Sequence, residues 1–150
     1  MKYKLHDNGW TVVVYDFDVK NSTQEEADEI AKLISSNIVV YINDPRLADI
    51  TPEDQVRFCE MIGDIRTLDI TDIRSISSAI STDEVGRKIQ RVTAEKNEQG
   101  YQGLFGHKEP LDWHNNRPWD LKRKPIVWLK TVRGAEGSRT SWSNTIRSEE

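Results

Sequence analysis

The polar and apolar positions at the start of the chain predict a strand followed by a helix. Residues 10–15 (WTVVVY) are β-branched and aromatic and lie between two polar segments, so they predict a strand. A Ser/Thr-x-x-Glu capping box opens at Ser22 or at Thr23. Behind it, apolar side chains recur with the i, i+3, i+4, i+7 spacing of one helix face: Ala27, Ile30, Ala31 and Ile34.

The next segment predicts a second strand and a second helix. Residues 38–42 (IVVYI) form an apolar run too short for a helix, which predicts a buried central strand. Thr51 supplies an N-cap and Pro52 the first helical position, and we expect the helix to end at Gly63. Its apolar face contains Val56, Cys59 and Ile62. The predicted order of strand, helix, strand and helix is typical of the start of an α/β fold.

The rest of the chain is richer in loops. Residues 64–79 mix helical and strand spacing and predict a loop-rich connection, and the polar, glycine-bearing residues 95–103 predict a mobile loop. Further strands are predicted at 89–93, 111–114, 126–132 and 139–142. Because 150 residues suffice for one hydrophobic core, we expect a single domain spanning 1–150.

Composition limits which binding partners and which cellular compartment we expect for the protein. A formal charge of −4 argues against general nucleic-acid binding, which needs a basic surface. Cys59 is the only cysteine, so an internal disulfide is impossible and a reducing cytoplasm fits. The N-terminus lacks the apolar core of a signal peptide, and no apolar run is long enough to span a membrane. We therefore expect a cytoplasmic protein without a membrane partner.

Basic residues concentrate near the end of the chain. Between positions 117 and 139 there are seven Lys or Arg and two acidic residues, a local excess of five positive charges. One interpretation is a solvated strand edge protected by charge. The other is an attractive field for a small anionic molecule.

Residues 103–144 contain the candidate chemistry. They hold His107 and His114 and most of the tryptophans. In Trp113-His114-Asn115-Asn116, side chains two residues apart point to the same side of a strand, so His114 and Asn116 are placed as neighbouring ligands. Two such ligands and a distant histidine are how a strand scaffold builds a facial triad for non-haem Fe(II). The alternative is a hydrogen-bonded structural histidine.

The order of these features resembles the taurine dioxygenase (TauD/TfdA) family of Fe(II)/2-oxoglutarate-dependent oxygenases. Residues 23–63 are similar to the family's helix, apolar strand and proline-capped helix, and 89–95 to the strand before its active-site loop. Residues 111–114 (LDWH) look like its tryptophan-histidine metal motif. Residues 137–142 (GSRTSW) resemble its Gly-rich turn and Thr-x-Trp strand, with Thr140 lying 26 residues after His114.

The resemblance implies both a fold and a site. The fold would be α/β (α+β), a partial double-stranded β-helix of the jelly-roll or cupin type with N-terminal helices. His114 would be the first iron ligand, Asn116 would occupy the carboxylate position, and Thr140 would contact 2-oxoglutarate. The activity would be hydroxylation by a dioxygenase, with Fe(II) and 2-oxoglutarate as cofactors.

The sequence departs from the family in two ways, which leave open whether the chain is itself an enzyme. Asn116 offers a neutral amide oxygen where the family has a charged carboxylate. The family's distal histidine and 2-oxoglutarate-binding arginine come from the second half of its β-helix, whereas no histidine follows His114 here. Asp112 is an alternative carboxylate on the same strand face as His114, or an ordinary strand-edge residue. His107 is interpreted as a solvent or structural histidine.

Three hypotheses follow. The chain is the N-terminal half of an oxygenase, or it is a non-catalytic binding or structural module that keeps part of that fold, or it is an unrelated α/β domain. The late tryptophans are core residues under the simplest interpretation and a substrate cage under another: Trp113, Trp119, Trp128 and Trp142. Half a β-helix leaves strand edges unpaired, so we expect a homo-oligomer or a complementary chain.

Overall fold

A computed structural model describes residues 1–65, 67, 85, 88–89, 126–132 and 140–142. The chain divides into two compact units, Met1–Ile50 with Trp128–Glu150, and Thr51–Val127. That the whole chain forms a single domain stays a prediction. The described part is a mixed α+β structure with three strands and two helices.

The first unit contains a three-stranded sheet in the order β1-β2-β3. Its strands are β1 (Lys2–Leu5), β2 (Thr11–Tyr15) and β3 (Val39–Ile42). β1 pairs with β2 antiparallel, with Leu5 opposite Val12, and β3 pairs with β2 parallel, with Val40 opposite Val12. The strand predicted at residues 10–15 is confirmed as β2.

A tight turn joins β1 to β2, and β1 was not predicted from the sequence. The amide of His6 donates to the carbonyl of Thr11 at 2.8 Å, and the amide of Gly9 donates to the carbonyl of His6 at 2.9 Å. Gly9 has φ of +77°, a region that favours glycine. All four residues of β1 are exposed, so this strand lacks the buried apolar face by which strands are recognised in a sequence.

A parallel crossover joins β2 to β3 through the helix α1 (Gln24–Ser36), which confirms the first predicted helix. The structure also decides between the two capping boxes. The Thr23 hydroxyl accepts from the amide of Glu26, and the Glu26 carboxylate accepts from the amide of Thr23. The Ser22 hydroxyl is buried and donates to the carbonyl of Val19 at 2.9 Å, so it is engaged in the preceding turn.

The predicted strand at residues 38–42 is confirmed as β3, but its predicted buried central position is wrong within the described sheet. β3 lies at the edge of the three described strands, and its Tyr41 is 56% exposed. β2 is the central strand, and its three valines are buried. An apolar run shows that a segment pairs in a sheet without showing how many neighbours it has.

The core of the first unit forms around β2 and α1. α1 packs against β3. Of its predicted apolar face, Ala27 and Ile30 are buried, whereas Ala31 and Ile34 are half-buried. The largest fully buried side chain is that of Phe17, which follows β2 and is 1% exposed. Among the described residues of this unit, the buried hydrophobic ones are Val12, Val13, Val14, Phe17, Val19, Ala27, Ile30 and Ile50.

The second unit contains the helix α2 (Pro52–Ile62), which confirms the second predicted helix. Thr51 and Asp54 form its capping box, and the amide of Gly63 donates to the carbonyl of Cys59 at 3.0 Å at the other end. Val56 is buried as predicted, whereas Cys59 and Ile62 are half-buried. Phe58, which the spacing argument did not select, is fully buried.

None of the strands predicted after residue 63 is confirmed by the described residues. Residues 126–131 and 140–142 have no regular secondary structure, so the strand predicted at 126–132 is wrong and that at 139–142 is wrong for its described part. Those at 111–114 and, apart from residue 89, at 89–93 lie outside the described residues. So does most of the 64–79 connection, and all of the 95–103 loop. Within the described part, no helix is long and apolar enough to cross a membrane.

We expect Phe17→Ala to lower the free energy of unfolding by about 3–5 kcal/mol, because it removes a fully buried aromatic side chain and leaves a cavity. The matched control is Tyr3→Ala, at a position 51% exposed on the edge strand, for which we expect a loss below about 1 kcal/mol. Urea unfolding followed by circular dichroism measures both. Equal losses in the two variants would contradict the assigned core.

Candidate functional site

The carboxyl ends of β2 and β3 lie at one edge of the sheet because the two strands are parallel. In open α/β sheets this edge is where ligands bind. Each strand is followed here by charged residues, which form what we call the Asp44 cluster: Asp16, Asp18, Asp44 and Arg46. This edge is therefore the candidate site in the described part of the chain.

Asp44 is the centre of the cluster, and its side chain is 3% exposed. One carboxylate oxygen, Oδ2, accepts from the amide of Phe17 at 2.9 Å and from Nη2 of Arg46 at 2.7 Å. The other, Oδ1, accepts from the amide and from Nε of Arg46 at 3.0 and 2.8 Å. Four donors therefore converge on one buried carboxylate, two of them from a guanidinium in bidentate geometry.

The local sequence explains why Asp44 holds this position. It is the N-cap of a short 3₁₀ helix, Pro45–Asp49, and the following proline occupies the first helical position. An aspartate before a helix accepts from the amides that lack partners inside the helix. The same carboxylate also reaches back to Phe17, which follows β2, so it ties together the exits of two parallel strands.

The electrostatic consequence is a strong preference for the charged form of Asp44. The Arg46 side-chain hydrogen bonds hold the pKa of the Asp44 carboxyl well below its usual range, although burial opposes this. The same contact raises the pKa of Arg46. Asp44 is therefore ionised at every physiological pH, and it has no proton to give to a reacting group.

The two other aspartates complete the cluster. Asp16 has φ of +52° and lies 3.3 Å from Nη2 of Arg46. Asp18 lies 3.9 Å from Nη1, and it is also the N-cap of a 3₁₀ turn, Val19–Asn21. Its pKa is lowered, chiefly by the side-chain hydrogen bond from Asn21. Arg46 thus spans both strand exits, with its side chain 45% exposed.

The Asp44 cluster has a structural role, because its contacts hold the ends of β2 and β3 together. Its one guanidinium faces three carboxylates, so it offers no unopposed positive charge to an anion. Asp18 and Asp44 accept hydrogen bonds from the amides of Lys20 and Arg46 in their own loops, and Asp44 also accepts from the amide of Phe17. Among the described residues, no group of three or more His, Cys, Asp or Glu is placed to hold a metal ion.

The residues predicted to form an oxygenase site are only partly described. His114 and Asn116, the predicted iron ligands, lie outside the described residues, as do His107 and Asp112. Thr140, the predicted 2-oxoglutarate contact, is described and is exposed. The structure therefore gives the position of Thr140 but no geometry relating it to His114 or Asn116.

Two further side chains of chemical interest are described. Burial raises the pKa of the Cys59 thiol to about 11, so at neutral pH the group is a thiol and a poor nucleophile or metal ligand. Lys130, from the basic segment, donates from Nζ to the carbonyl of Ile50 at 2.7 Å. This lysine therefore stabilises the backbone of the first unit. Its charge also contributes to the positive electrostatic field of the basic segment.

Sequence reasoning missed the Asp44 cluster, although a signal for part of it was present. Asp44 followed by Pro45 is an N-cap followed by a proline at the first helical position. The same pattern predicts the start of α2 at Thr51-Pro52. The contact with Phe17, 27 residues earlier, has no sequence signal, because it depends on two strands lying side by side.

Comparisons with protein-family models, with curated proteins and with solved structures find no match for this chain.

We expect Asp44→Asn to lower the free energy of unfolding at neutral pH by about 1.5–3 kcal/mol, the usual contribution of hydrogen bonds to a charged group. Because the folded pKa of Asp44 is depressed, its stabilisation is complete above the unfolded pKa. It is lost as the pH falls from about 4 towards the folded value. The variant should therefore show a flatter decline of stability in acid.

The control for this prediction is Asp49→Asn, an exposed aspartate of the same 3₁₀ helix. We expect it to leave the stability at neutral pH unchanged within about 0.5 kcal/mol. Urea midpoints measured from neutral to acid pH compare the three proteins. If the free energy of unfolding falls in parallel with pH for the wild type and Asp44→Asn, the Asp44 carboxylate does not hold the ends of β2 and β3 together.

Proposed function

We propose that this chain is the N-terminal part of an Fe(II)/2-oxoglutarate-dependent dioxygenase of the taurine dioxygenase type, with an altered metal motif. The observation that carries the proposal is the joint order of two motifs, Trp113-His114-x-Asn116 and the segment 137–142 with Thr140. The finer fold belongs to the same proposal: a partial double-stranded β-helix with N-terminal helices.

The described fold supports the N-terminal part of this proposal. The resemblance over residues 23–63 requires a helix, an apolar strand and a proline-capped helix in that order. The structure contains α1, β3 and α2 in that order, with Pro52 at the first position of α2. This order is common among α/β proteins, so it adds support without itself distinguishing an oxygenase.

The donor chemistry of the proposed site fits iron in part. The His114 imidazole is a suitable ligand for Fe(II), and the Asn116 amide supplies a hard oxygen without a charge. Thr140 carries a hydroxyl that can donate to a carboxylate. We infer a metal site weaker than that of an enzyme with an aspartate at position 116.

Each residue would have a separate task in this site. His114 and Asn116 would be two of the iron ligands, through the imidazole and the amide oxygen. Thr140 would orient the cosubstrate by hydrogen bonding to a carboxylate oxygen. When bound, iron with 2-oxoglutarate and oxygen supplies the oxidation of a substrate C–H bond. The basic segment 117–139 would favour the approach of an anionic cosubstrate.

A non-catalytic module is the second candidate, and the exposure of Thr140 favours it. A cosubstrate site normally excludes water around its ligand, whereas an exposed hydroxyl suits a weak, open anion site. In this case 2-oxoglutarate would bind without metal, and the change Thr140→Val would abolish that binding.

The first test is anaerobic calorimetric titration of Fe(II), repeated with redox-silent Mn(II), in the presence of 2-oxoglutarate. We expect binding that is lost in His114→Ala and retained in His107→Ala, the matched histidine control. We expect Asn116→Asp to tighten binding by about tenfold or more, because it restores a negative charge beside the metal.

The outcomes separate the two candidates. If neither the wild-type chain nor Asn116→Asp binds metal, the iron proposal is wrong for this polypeptide. If 2-oxoglutarate binds equally well to the metal-free chain in the presence of a chelator and Thr140→Val abolishes that binding, the non-catalytic module is correct.

We also propose that the chain associates with another copy or with a complementary chain. β1 is at the edge of the described sheet and all four of its residues are exposed, and unpaired edges are prone to pairing with another strand. Sedimentation velocity over a range of micromolar concentrations should show species heavier than a monomer for the first case. A single monomeric species that unfolds cooperatively would contradict self-association.

A further inference from the structure

The turn between β1 and β2 contains Asn8-Gly9, the one Asn-Gly pair in the sequence. Both residues are exposed. An asparagine followed by glycine is the dipeptide most open to deamidation, because glycine has no side chain to shield its amide nitrogen from the neighbouring carboxamide. The pair is therefore a possible modification site, and the folded turn decides whether its atoms can react.

The chemistry needs only water. The deprotonated amide nitrogen of Gly9 attacks Cγ of Asn8, the Cγ–Nδ2 bond breaks, and ammonia leaves with the proton, which closes a five-membered imide. Water then opens the ring at one of its two carbonyls. One product has aspartate at position 8. In the other, isoaspartate, the backbone runs through the side-chain carboxyl and is one carbon longer.

In the folded turn, the Gly9 amide and both polar atoms of the Asn8 carboxamide are engaged in hydrogen bonds. The Gly9 amide donates to the carbonyl of His6 at 2.9 Å. The Asn8 carboxamide oxygen accepts from the amides of Trp10 and Thr11 at 3.2 and 3.0 Å. Its nitrogen Nδ2, the leaving group, donates to Oγ1 of Thr11 at 2.9 Å. Ring closure requires the carboxamide to rotate, which breaks these hydrogen bonds.

We propose that Asn8-Gly9 is a deamidation site which the folded hairpin protects, so that it reacts only when the turn opens. Formation of isoaspartate has a structural consequence, because it inserts a carbon between strands whose register places Leu5 opposite Val12. Both products also lose Nδ2 of Asn8, and with it the hydrogen bond to Oγ1 of Thr11. Reaction at this turn would thus weaken the pairing of β1 with the central strand.

The experiment incubates the full chain in mildly alkaline buffer, folded and in denaturant, and follows the tryptic peptides 5–20, 21–32 and 33–46, which contain Asn8, Asn21 and Asn43, by mass spectrometry. In denaturant, Asn8 should react fastest of the asparagines, ahead of Asn21 and Asn43. In the folded protein its rate should fall well below the denatured rate. Thr11→Val, which removes the Oγ1 acceptor and keeps the side-chain shape, should accelerate the folded reaction by about threefold to tenfold and leave the denatured rate unchanged.

The matched control is Thr11→Ser, which keeps the hydroxyl and should react at nearly the wild-type rate. Equal rates in folded and denatured wild type would overturn the proposal. A Thr11→Val variant that reacts no faster than Thr11→Ser would do the same. If Thr11→Val does not fold, the comparison of folded and denatured wild type still decides, since it needs no substitution.

Discussion

The hydrogen bonds of the Asp44 carboxylate are the interaction on which the described part of the first unit depends. A buried carboxylate is costly unless every lone pair has a donor. Here Arg46 supplies three donors and the Phe17 amide a fourth. Phe17 follows β2 and Asp44 follows β3. The hydrogen bond between them therefore fixes the ends of the two strands relative to each other.

This constraint also organises the core of that unit. With its amide held by Asp44, Phe17 leaves β2 with its side chain fully buried. The chain then passes through a short turn capped by Asp18 into α1, which begins at the Thr23 capping box. Burial of apolar surface supplies most of the stability in such a unit. The helix caps and the Asp44 cluster specify where each buried segment begins and ends.

The candidate oxygenase site and the Asp44 cluster differ in the kind of argument that supports them. The cluster is defined by hydrogen bonds and ion pairs in the structure, and these contacts pair its charges with one another, so its role is structural. The site at His114, Asn116 and Thr140 is defined by residue types and their spacing, and its chemistry depends on whether a neutral amide can replace a carboxylate at iron. A fold of this class hosts many activities, so the metal-binding residues and not the fold must carry the functional argument.

The sequence by itself determined β2, α1, β3 and α2 as local elements, although it missed β1 and predicted a strand at residues 126–132 that the structure does not contain. The β-branched run of β2, the i, i+3, i+4 spacing of α1 and the Thr51-Pro52 start of α2 are set by neighbours within a few residues, where propensity and capping act. Only the tertiary structure decided that β3 lies at the edge of the described sheet, that Phe58 is buried, and that Thr23 and not Ser22 caps α1. It also decided that Asp44 reaches Phe17. Each of these depends on groups distant in sequence or on competition for one hydrogen-bond partner, and a linear pattern does not record which segments become neighbours in space.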